Sequence, residues 1–519
     1  MNPLEFIGPA LANVFTLYNI GIIFAGLLIG VLVGCTPGLN VTMGVILMLP
    51  LTFGMESAAS AIILLMAVYC GGVYGGSISA ILLNMPGTVA SIATTFDGYP
   101  LAKKGQAKKA LNTALFSSVF GGIYSSIVLL IFATLIAQFV GGFASPEYFA
   151  LGVMGIMLVA GVSGNSLAKS VIGALMGVFI ATIGFDMVAN VQRFTFGSTT
   201  LRFGIDMVPT MIALIALTQI LIKATEFTLT KGQMGNVTEI GEHGLTRKEA
   251  KSIVPACIRS STIASLTGAA PGIGGCVTQF LCYNEARRAS KKPEEFGKGS
   301  LEGLAAAEAS SNSVAGASLI PLLTLGIPGD GVTALLLGAF VLHGMQPGPA
   351  MFANHGVTAY SIMIGKLVTA FMLIVIGLVF TRLVARIVRV RYSYLTPVIV
   401  MFCFAGAFAA TGHIKEVTIA AGMLILSYIL NVLKISAIPL MLGMILTPIM
   451  ERNFITGMLA HGNDISIFVR RPVALGILVL TVVLTWSLLR VNRKVMATQE
   501  AAAREISDES ASSPADKEG

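Results

Sequence analysis

The most informative part of the sequence is the stretch at residues 74–88, which reads YGGSISAILLNMPGT. Its apolar run favours a helix, and Pro86 followed by Gly87 predicts that this helix breaks. Proline removes a backbone donor and clashes with the preceding turn, while glycine adds freedom to bend. Inside a membrane the freed backbone groups need new partners, and a bound ion or substrate can supply them.

The composition of the whole chain agrees with a membrane location. Of its 519 residues, 55% are hydrophobic and only 11% are charged, and the mean hydropathy is +0.84. Soluble domains carry about 25% charged residues, so an ordinary soluble enzyme is excluded. The abundance of apolar residues also excludes a disordered chain. The net charge of +8 fits basic cytoplasmic loops. Because no dense basic patch with interleaved aromatic residues is present, we expect no nucleic-acid partner.

Apolar segments recur along almost the entire chain, and a membrane span needs about 20 such residues. They predict an all-α polytopic membrane protein with roughly 12 transmembrane helices. Two charged segments interrupt this pattern. The predicted organisation is a first transmembrane repeat at 1–230, a cytoplasmic linker at 231–252, a second transmembrane repeat at 253–494 and a disordered cytoplasmic tail at 495–519.

The two halves share motifs in the same order. Both contain GxxPG, at residues 34–38 and 268–272, and both contain a later Pro-Gly pair after an apolar run, at 84–88 and 326–330. Matching loops of the two halves differ in charge, because one loop of each pair is basic and the other carries almost no charge. By the positive-inside rule such loops face opposite sides of the membrane. This pattern predicts two inverted repeats with broken or re-entrant helices at the Pro-Gly motifs.

The four Pro-Gly motifs are the main candidates for a substrate site. Half-helix N-termini direct positive partial charge at an anion, and the four breaks could meet near the middle of the membrane. Hydroxyls and amides beside the breaks can donate to a carboxylate without burying a fixed charge. Simple kinks and ordinary hydrogen bonds between helices are the alternatives. The predicted substrate-binding residues are Pro37, Gly38, Asn40, Ser77, Ser79, Asn84, Pro86, Gly87, Thr88, Pro271, Gly272, Ser311, Asn312, Pro328 and Gly329.

Three acidic residues near the breaks are candidates for coupling transport to an ion. An ionisable side chain at membrane depth is costly and is a functional hypothesis by default. Glu308 lies in a small, polar stretch and could carry a proton or a cation. The alternative for Asp330 is an N-cap of the following helix, and the alternative for Asp97 is a loop cap.

The sequence lacks the motifs of ATP hydrolysis and of common hydrolases. It contains no G-x-x-x-x-G-K-[ST] phosphate loop, no H-E-x-x-H and no G-x-S-x-G, and its histidines are scattered without metal-ligand spacing. We therefore expect no enzymatic activity, no catalytic residue, no metal site and no cofactor.

Glycine recurs every four residues from Gly26 to Gly38, and the same spacing joins Gly71 to Gly75 and Gly72 to Gly76. Small residues at this spacing are typical of closely packed membrane helices. We interpret these glycines as a packing seam rather than as binding residues.

Longer motifs resemble those of the large membrane subunit of tripartite tricarboxylate transporters. They are GCTPGLN at 34–40, YGGSISAILLNMPGT at 74–88, DGYPLAKKGQAKKAL at 97–111, SPEYFAL at 145–151, RFTFG at 193–197, AAPGIGG at 269–275, EASSNS at 308–313, PLLTLGIPG at 321–329 and HGMQPGP at 343–349. The resemblance assigns the family's Pro-Gly breaks to the four pairs named above. It also assigns the acidic and amide positions before the last break to Glu308 and Asn312. Asp330 departs from the small hydroxyl residue that the family pattern implies there.

This resemblance implies an uptake system in the bacterial inner membrane. The large subunit would form the translocation path, beside a small integral membrane subunit. A periplasmic substrate-binding protein would deliver a di- or tricarboxylate, a citrate-like organic anion. Transport would be secondary and coupled to a proton or Na⁺ gradient, which agrees with the missing phosphate loop. The alternatives are a passive organic-anion channel and, less favoured, an intramembrane enzyme that uses Glu308 or Asp330 as a base.

Overall fold

The fold is helical throughout the described part of the chain. The computed structural model describes residues 4–36, 39–140, 142–162, 166–185, 191–222, 244–270, 274–387, 392–409 and 412–487. Within these ranges the only sheet is an antiparallel pair of two-residue strands, β1 (Gly184–Phe185) and β2 (Gln192–Arg193). The predicted all-α class is confirmed.

The described part of the first half contains nine helices. They are α1 (Leu4–Val14), α2 (Leu17–Cys35), α3 (Val41–Met48), α4 (Ala58–Leu83), α5 (Ile92–Lys103), α6 (Ala107–Val140), α7 (Ser145–Val162), α8 (Leu167–Ala181) and α9 (Met207–Ile222). Thr16, Asn40 and Ser57 begin α2, α3 and α4, and each side chain accepts a hydrogen bond from a backbone N–H three residues later. These N-caps satisfy donors that the first helical turn leaves free.

The described part of the second half contains twelve helices. They are α10 (Arg247–Ala269), α11 (Gly274–Ala289), α12 (Leu301–Ala317), α13 (Leu319–Leu325), α14 (Gly331–Leu342), α15 (Pro349–Asn354), α16 (Gly356–Ile387), α17 (Tyr392–Ala409), α18 (Ile414–Val432), α19 (Ala437–Ala460), α20 (Ile467–Arg470) and α21 (Pro472–Ser487). Thr246 and Glu249 form a capping box at the start of α10. The last residues of the predicted linker 231–252 are therefore helical. The tail 495–519 lies outside the described residues.

Two ion pairs mark the ends of the helix bundle. Lys109 Nζ lies 2.8 Å from Glu249 Oε1 where α6 and α10 begin, and we call this the linker end. The α6 helix has 34 residues and is therefore about 50 Å long. Helix α7 follows α6, and its Gly152 packs against Met450 of α19, the residue before Glu451. There Glu451 Oε1 lies 2.6 Å from Arg193 Nη1, and we call this the far end.

Two helical hairpins extend into the bundle from opposite ends. The first hairpin consists of α2 and α3. Helix α3 runs back along α2, since Gly44 of α3 lies against Val33 of α2. The second is α10 with α11, which are antiparallel because Thr278 pairs with Thr267 whereas Cys282 contacts the earlier Ser260. Of the residues at the hairpin tips, Pro37, Gly38, Pro271 and Gly272 lie outside the described part of the chain.

Two further helices are interrupted where the sequence predicts a break. Helix α4 ends at Asn84, which takes a left-handed conformation with φ 56°, and the chain resumes in α5. Helix α13 ends at Gly326 with φ 71°, and the chain resumes in α14. Asparagine and glycine are the residues that tolerate this conformation at a helix C-terminus. Helix α4 runs antiparallel to the chain from α12 to α14, because Ser77 contacts Glu308 of α12 whereas the earlier Tyr69 contacts Asp330 at the start of α14.

Six helices among the described residues are long and apolar enough to cross a membrane, which indicates a multi-pass membrane protein. They include α2, α4, α6, α18 and α19, and Gly356–Phe380 within α16. The prediction of roughly 12 transmembrane helices is not confirmed. The stretch 301–325 is divided into two shorter helices, α12 and α13, and α8 has only 15 residues. Helices α3, α5, α11 and α14 are also shorter than the roughly 20 residues that a membrane span needs.

The glycine seam holds α2 against α4. A Cβ on Gly30 would lie 2.3 Å from Val68 O, and one on Gly34 would lie 2.2 Å from Gly72 O. Real side chains do not fit at such distances, so the two backbones touch only because these positions are glycine. The packing seam predicted from the glycine spacing is confirmed.

Candidate functional site

A central cavity of about 580 Å³ lies where the hairpins and the interrupted helices meet. Asn40 and the stretch 86–88 line it from the first half, and Gly275 and Asp330 line it from the second half. Its other polar lining residues are Thr42, Tyr69, Thr218, Gln219, Ser311, Ser427, Asn431 and Ser436. Residues beside all four Pro-Gly motifs therefore share one cavity, whose lining combines these polar groups with apolar side chains.

Four helices begin at the wall of the central cavity. The lining residues include Val41 at the start of α3, Gly275 at the start of α11, Gly331 at the start of α14 and Ala437 at the start of α19. The first backbone N–H groups of a helix have no partner within the helix and carry positive partial charge. Among the described lining residues, Asp330 carries the only charged side chain. The cavity therefore offers mainly uncharged donors and helix N-termini, which suit an anion.

Asn40 connects the first hairpin to the cavity wall. Its Oδ1 accepts a hydrogen bond of 2.8 Å from Met43 N and so caps α3. Its Nδ2 lies 3.4 Å from Oε1 of Gln219 on α9. One amide therefore fixes the start of α3 and joins two helices that line the cavity.

The first interrupted helix brings its Pro-Gly pair to the cavity by a close backbone approach. A Cβ on Gly87 would lie 2.3 Å from Gly34 O, so only glycine fits against the first hairpin here. Pro86 and Thr88 also line the cavity, and Thr88 Oγ1 lies 2.8 Å from Ser91 Oγ.

Asp330 is the N-cap of α14, which confirms that interpretation of the residue. Its Oδ1 accepts a hydrogen bond of 2.8 Å from Thr333 N, in a capping box with that threonine. Its Oδ2 accepts a hydrogen bond of 2.5 Å from the hydroxyl of Tyr69 on α4. The carboxylate is thus held by α4 and α14 while it lines the cavity.

Glu308 lies outside the cavity lining and is fully buried. It accepts hydrogen bonds from three hydroxyls, which are Ser77 Oγ at 2.6 Å, Thr94 Oγ1 at 2.5 Å and Ser118 Oγ at 3.0 Å. These donors come from α4, α5 and α6, so three helices of the first half surround one carboxyl group of the second half. All three partners are neutral and can rotate about the side-chain bond.

Gln279 of α11 links the cavity wall to Glu308. Its Oε1 accepts a hydrogen bond of 2.9 Å from Ala93 N. Its Nε2 lies 3.0 Å from Oγ of Ser311, which lines the cavity, and 3.3 Å from Oγ1 of Thr94. Since Thr94 donates to Glu308, a continuous chain of polar contacts joins the cavity to the buried carboxyl group.

Asp97 has a different environment near the linker end. Its Oδ1 accepts hydrogen bonds from the backbone N–H groups of Gly297, Gly299 and Ser300 at 2.7 to 2.9 Å. Its Oδ2 accepts a hydrogen bond of 2.8 Å from the Tyr283 hydroxyl. The carboxylate thereby joins α5 to the loop before α12, which confirms the alternative interpretation of Asp97 as a loop cap.

The other predicted residues lie around the cavity rather than in its lining. Asn84 ends α4, Ser79 donates to Gly76 O, and Asn312 is buried with no hydrogen-bond partner for its Nδ2 among the described residues. The predicted residues that line the cavity are Asn40, Pro86, Gly87, Thr88, Ser311 and Asp330. Those outside its lining are Ser77, Ser79, Asn84, Asp97, Glu308, Asn312, Pro328 and Gly329. Pro37, Gly38, Pro271 and Gly272 lie outside the described residues.

Several polar residues of this region were missed by the sequence analysis. Tyr69, Gln219, Ser427 and Asn431 line the cavity, and Gln279 contacts its wall. A signal for Gln279 is present, because it follows the Pro-Gly pair 271–272 at a spacing that places it on the returning helix of the hairpin. Nothing local marks the other four, since their partners are distant in sequence. Among the described residues no group of three His, Cys, Asp or Glu side chains lies close enough to hold a metal ion.

Comparison with known proteins places the chain in a family. The profile of the tripartite tricarboxylate transporter TctA family matches residues 20–442. An uncharacterized 52.8 kDa protein in the TAR-I ttuC' 3' region of Agrobacterium vitis is 34% identical over 462 residues, which cover 89% of this chain and 91% of the relative. An uncharacterized protein in the TAR-II ttuC' 3' region of the same organism is 34% identical over 214 residues, which cover 41% of this chain and 88% of the relative. No solved structure matches the chain.

The match spans the hairpins, both interrupted helices and most of the cavity lining. The chain therefore belongs to the tripartite tricarboxylate transporter TctA family and is a membrane subunit of that class of transporter.

Proposed function

We propose that this protein forms the translocation path for a di- or tricarboxylate and binds that anion in the central cavity. The observation that carries the proposal is the convergence of the N-termini of α3, α11, α14 and α19 on one cavity of about 580 Å³. Helix N-termini attract anions without the cost of burying a lysine or an arginine in the membrane. Asn40 and Thr88 add neutral donors beside them.

Uptake is coupled in this proposal to a proton or Na⁺ gradient, and Glu308 is the principal coupling residue. Its carboxyl group is buried among three hydroxyls that can either donate or accept. Glu308 can therefore gain or lose a proton, because each hydroxyl can rotate and change from donor to acceptor. Asp330 and Asp97 are the other candidates, but both accept hydrogen bonds from backbone N–H groups, which cannot reverse.

The arrangement of the hairpins supports a pair of inverted repeats. The hairpin of α2 and α3 and the hairpin of α10 and α11 enter from opposite ends, and each precedes an interrupted helix. Alternating access would then move part of each repeat against the rest and expose the cavity at one end and then at the other. The linker end would face the cytoplasm of a bacterium and the far end the periplasm. There a binding protein would deliver the anion, with a small membrane subunit beside this one.

Uptake by reconstituted protein tests this function. The complete transporter in proteoliposomes should concentrate a labelled carboxylate against its gradient, and collapse of the imposed proton or Na⁺ gradient should abolish that accumulation. A passive channel would only equilibrate the label, and an intramembrane enzyme would form product without net movement.

A pair of variants at one cavity residue links uptake to the site. Asn40→Asp preserves the N-cap but places a negative charge in the cavity, so uptake should fall at least about tenfold. Asn40→Ser preserves the cap without a charge and serves as the matched control. Equal uptake by both variants would show that the anion does not pass this cavity.

A further inference from the structure

Among the described residues that line the central cavity, one side chain carries a full charge. Each helix N-terminus contributes roughly half a positive charge, so the four that begin at the wall contribute roughly +2, and the last turn of α18, where Asn431 lines the cavity, contributes roughly −0.5. Asp330 is the only charged side chain among the described lining residues, and its carboxylate reduces this balance to roughly +0.5. The other polar lining residues are neutral.

The structure also fixes the position of this negative charge. Thr333 N donates to one carboxylate oxygen from within α14, and the Tyr69 hydroxyl donates to the other from α4. Tyr69 is itself buried, with 5% of its surface exposed. Because both oxygens are held from opposite sides, the carboxylate cannot turn away from an anion that enters the cavity.

We infer, on the basis of the function proposed above, that Asp330 limits the charge of the accepted anion, so that the substrate is a carboxylate with one or two negative charges rather than three. A third carboxylate would find no further positive group among the described lining residues, and Asp330 would repel it. With a neutral residue at this position the same cavity would suit a more highly charged anion.

Binding of three matched anions tests the inference. Butyrate, glutarate and propane-1,2,3-tricarboxylate carry one, two and three carboxylates. Each is titrated by calorimetry into the purified full-length protein at a mildly alkaline pH where every carboxyl group is ionised. We expect the parent protein to bind glutarate at least about tenfold more tightly than the tricarboxylate, since one repulsive pair of charges within a cavity is worth that much.

Two variants change the charge of the cavity. Asp330→Asn and Asp330→Ser should each lower the ratio of the tricarboxylate Kd to the glutarate Kd by about tenfold. Both residues can still cap α14, so the fold should survive. Glu285→Gln is the matched control, because it removes a carboxylate of α11 that lies outside the cavity lining, and its ratio should equal that of the parent.

The outcomes separate the two proposals. Binding of carboxylates with a ratio that neither Asp330 variant changes would overturn this inference and leave the proposed function intact. Tighter binding of the tricarboxylate by the parent protein would overturn it as well. Binding of none of the three anions would overturn the proposed function of the cavity.

Discussion

Asp97 and Glu308 are both buried carboxyl groups that join the two halves of the molecule, yet their partners differ in kind. Three backbone N–H groups and a tyrosine hydroxyl hold Asp97. Three side-chain hydroxyls from three helices hold Glu308. A backbone N–H can only donate, whereas a hydroxyl can reverse its role by rotation. Asp97 is therefore a structural anchor, whereas the environment of Glu308 supports our proposal that it exchanges a proton or a cation.

Replacement of Asp97 should have the largest effect, and the effect should be on stability. Asp97→Ala leaves three backbone donors without their acceptor, and we expect a loss of about 4 kcal/mol in the free energy of unfolding. Thermal unfolding of the purified protein in detergent measures this loss. A variant as stable as the parent would contradict the role assigned to Asp97.

A glycine next to this anchor offers a control that keeps the charge. A Cβ on Gly303 would lie 2.2 Å from Asp97 Oδ2, so Gly303→Ala should reproduce part of the destabilisation. Gly8→Ala introduces the same methyl group in a helix where nothing lies within 4 Å, and it should not lower the unfolding temperature.

Neutralisation of Glu308 should impair transport rather than stability. Glu308→Gln keeps the shape of the side chain but cannot change its charge, and we expect ion-driven uptake to fall about 100-fold, which corresponds to about 2.7 kcal/mol. The unfolding temperature should stay within a few degrees of the parent value, since a buried neutral amide costs less than a buried carboxylate. Uptake into proteoliposomes and thermal unfolding of the same preparation give the two readings.

Ser118→Ala sharpens the test at the same carboxyl group. It removes only the longest of the three hydrogen bonds, at 3.0 Å, and should lower uptake far less than Glu308→Gln does. Full gradient-driven uptake by Glu308→Gln would remove Glu308 from the coupling mechanism.

Disruption of the chain of polar contacts that joins Ser311 to Glu308 through Gln279 should have an intermediate effect on stability and uptake. Gln279→Leu leaves Ala93 N without its acceptor and separates Ser311 from Thr94, so we expect a loss of about 2 kcal/mol in stability and about a tenfold fall in uptake. Gln279→Glu restores the acceptor for Ala93 N but not the donor. It should recover stability more than uptake, and the reverse result would contradict a coupling role for the link.

The ion pair at the linker end should have the smallest effect. The hydrogen bond from Lys109 is the largest of the contacts that lower the pKa of Glu249 from 4.5 to about 2. The folded form thus has the lower pKa, so the pair stabilises the protein at pH above 4.5, and this contribution is lost as the pH falls toward 2. Both side chains are partly exposed, so the contribution is below about 1 kcal/mol.

Unfolding temperatures measured across this pH range check the expectation. Glu249→Gln should flatten the acid side of the stability profile slightly, and it keeps the capping box at the start of α10 because glutamine can replace glutamate there. A profile with the same slope as the parent would show that this pair contributes nothing.

Much of this architecture could be predicted from the sequence, because local chemistry determines it. Apolar runs mark the long helices, Pro-Gly pairs mark the interruptions, and the position of Asp330 after such a pair marks an N-cap. The difference between Asp97 and Glu308 could not be predicted. It depends on partners such as Ser300 and Ser118, about 200 residues away in the chain, and no local pattern specifies them.

The contact between α2 and α4 limits how this protein can move. Carbonyl oxygens of one helix occupy the space where side chains of the other would stand, at Gly30, Gly34 and Gly71. A slip of a single residue in register would bring larger residues such as Val31 or Val73 into that space and force the backbones apart. Helices α2 and α4 should therefore move together as one rigid unit. A motion that opens the cavity would either leave this unit in place or displace it as a whole.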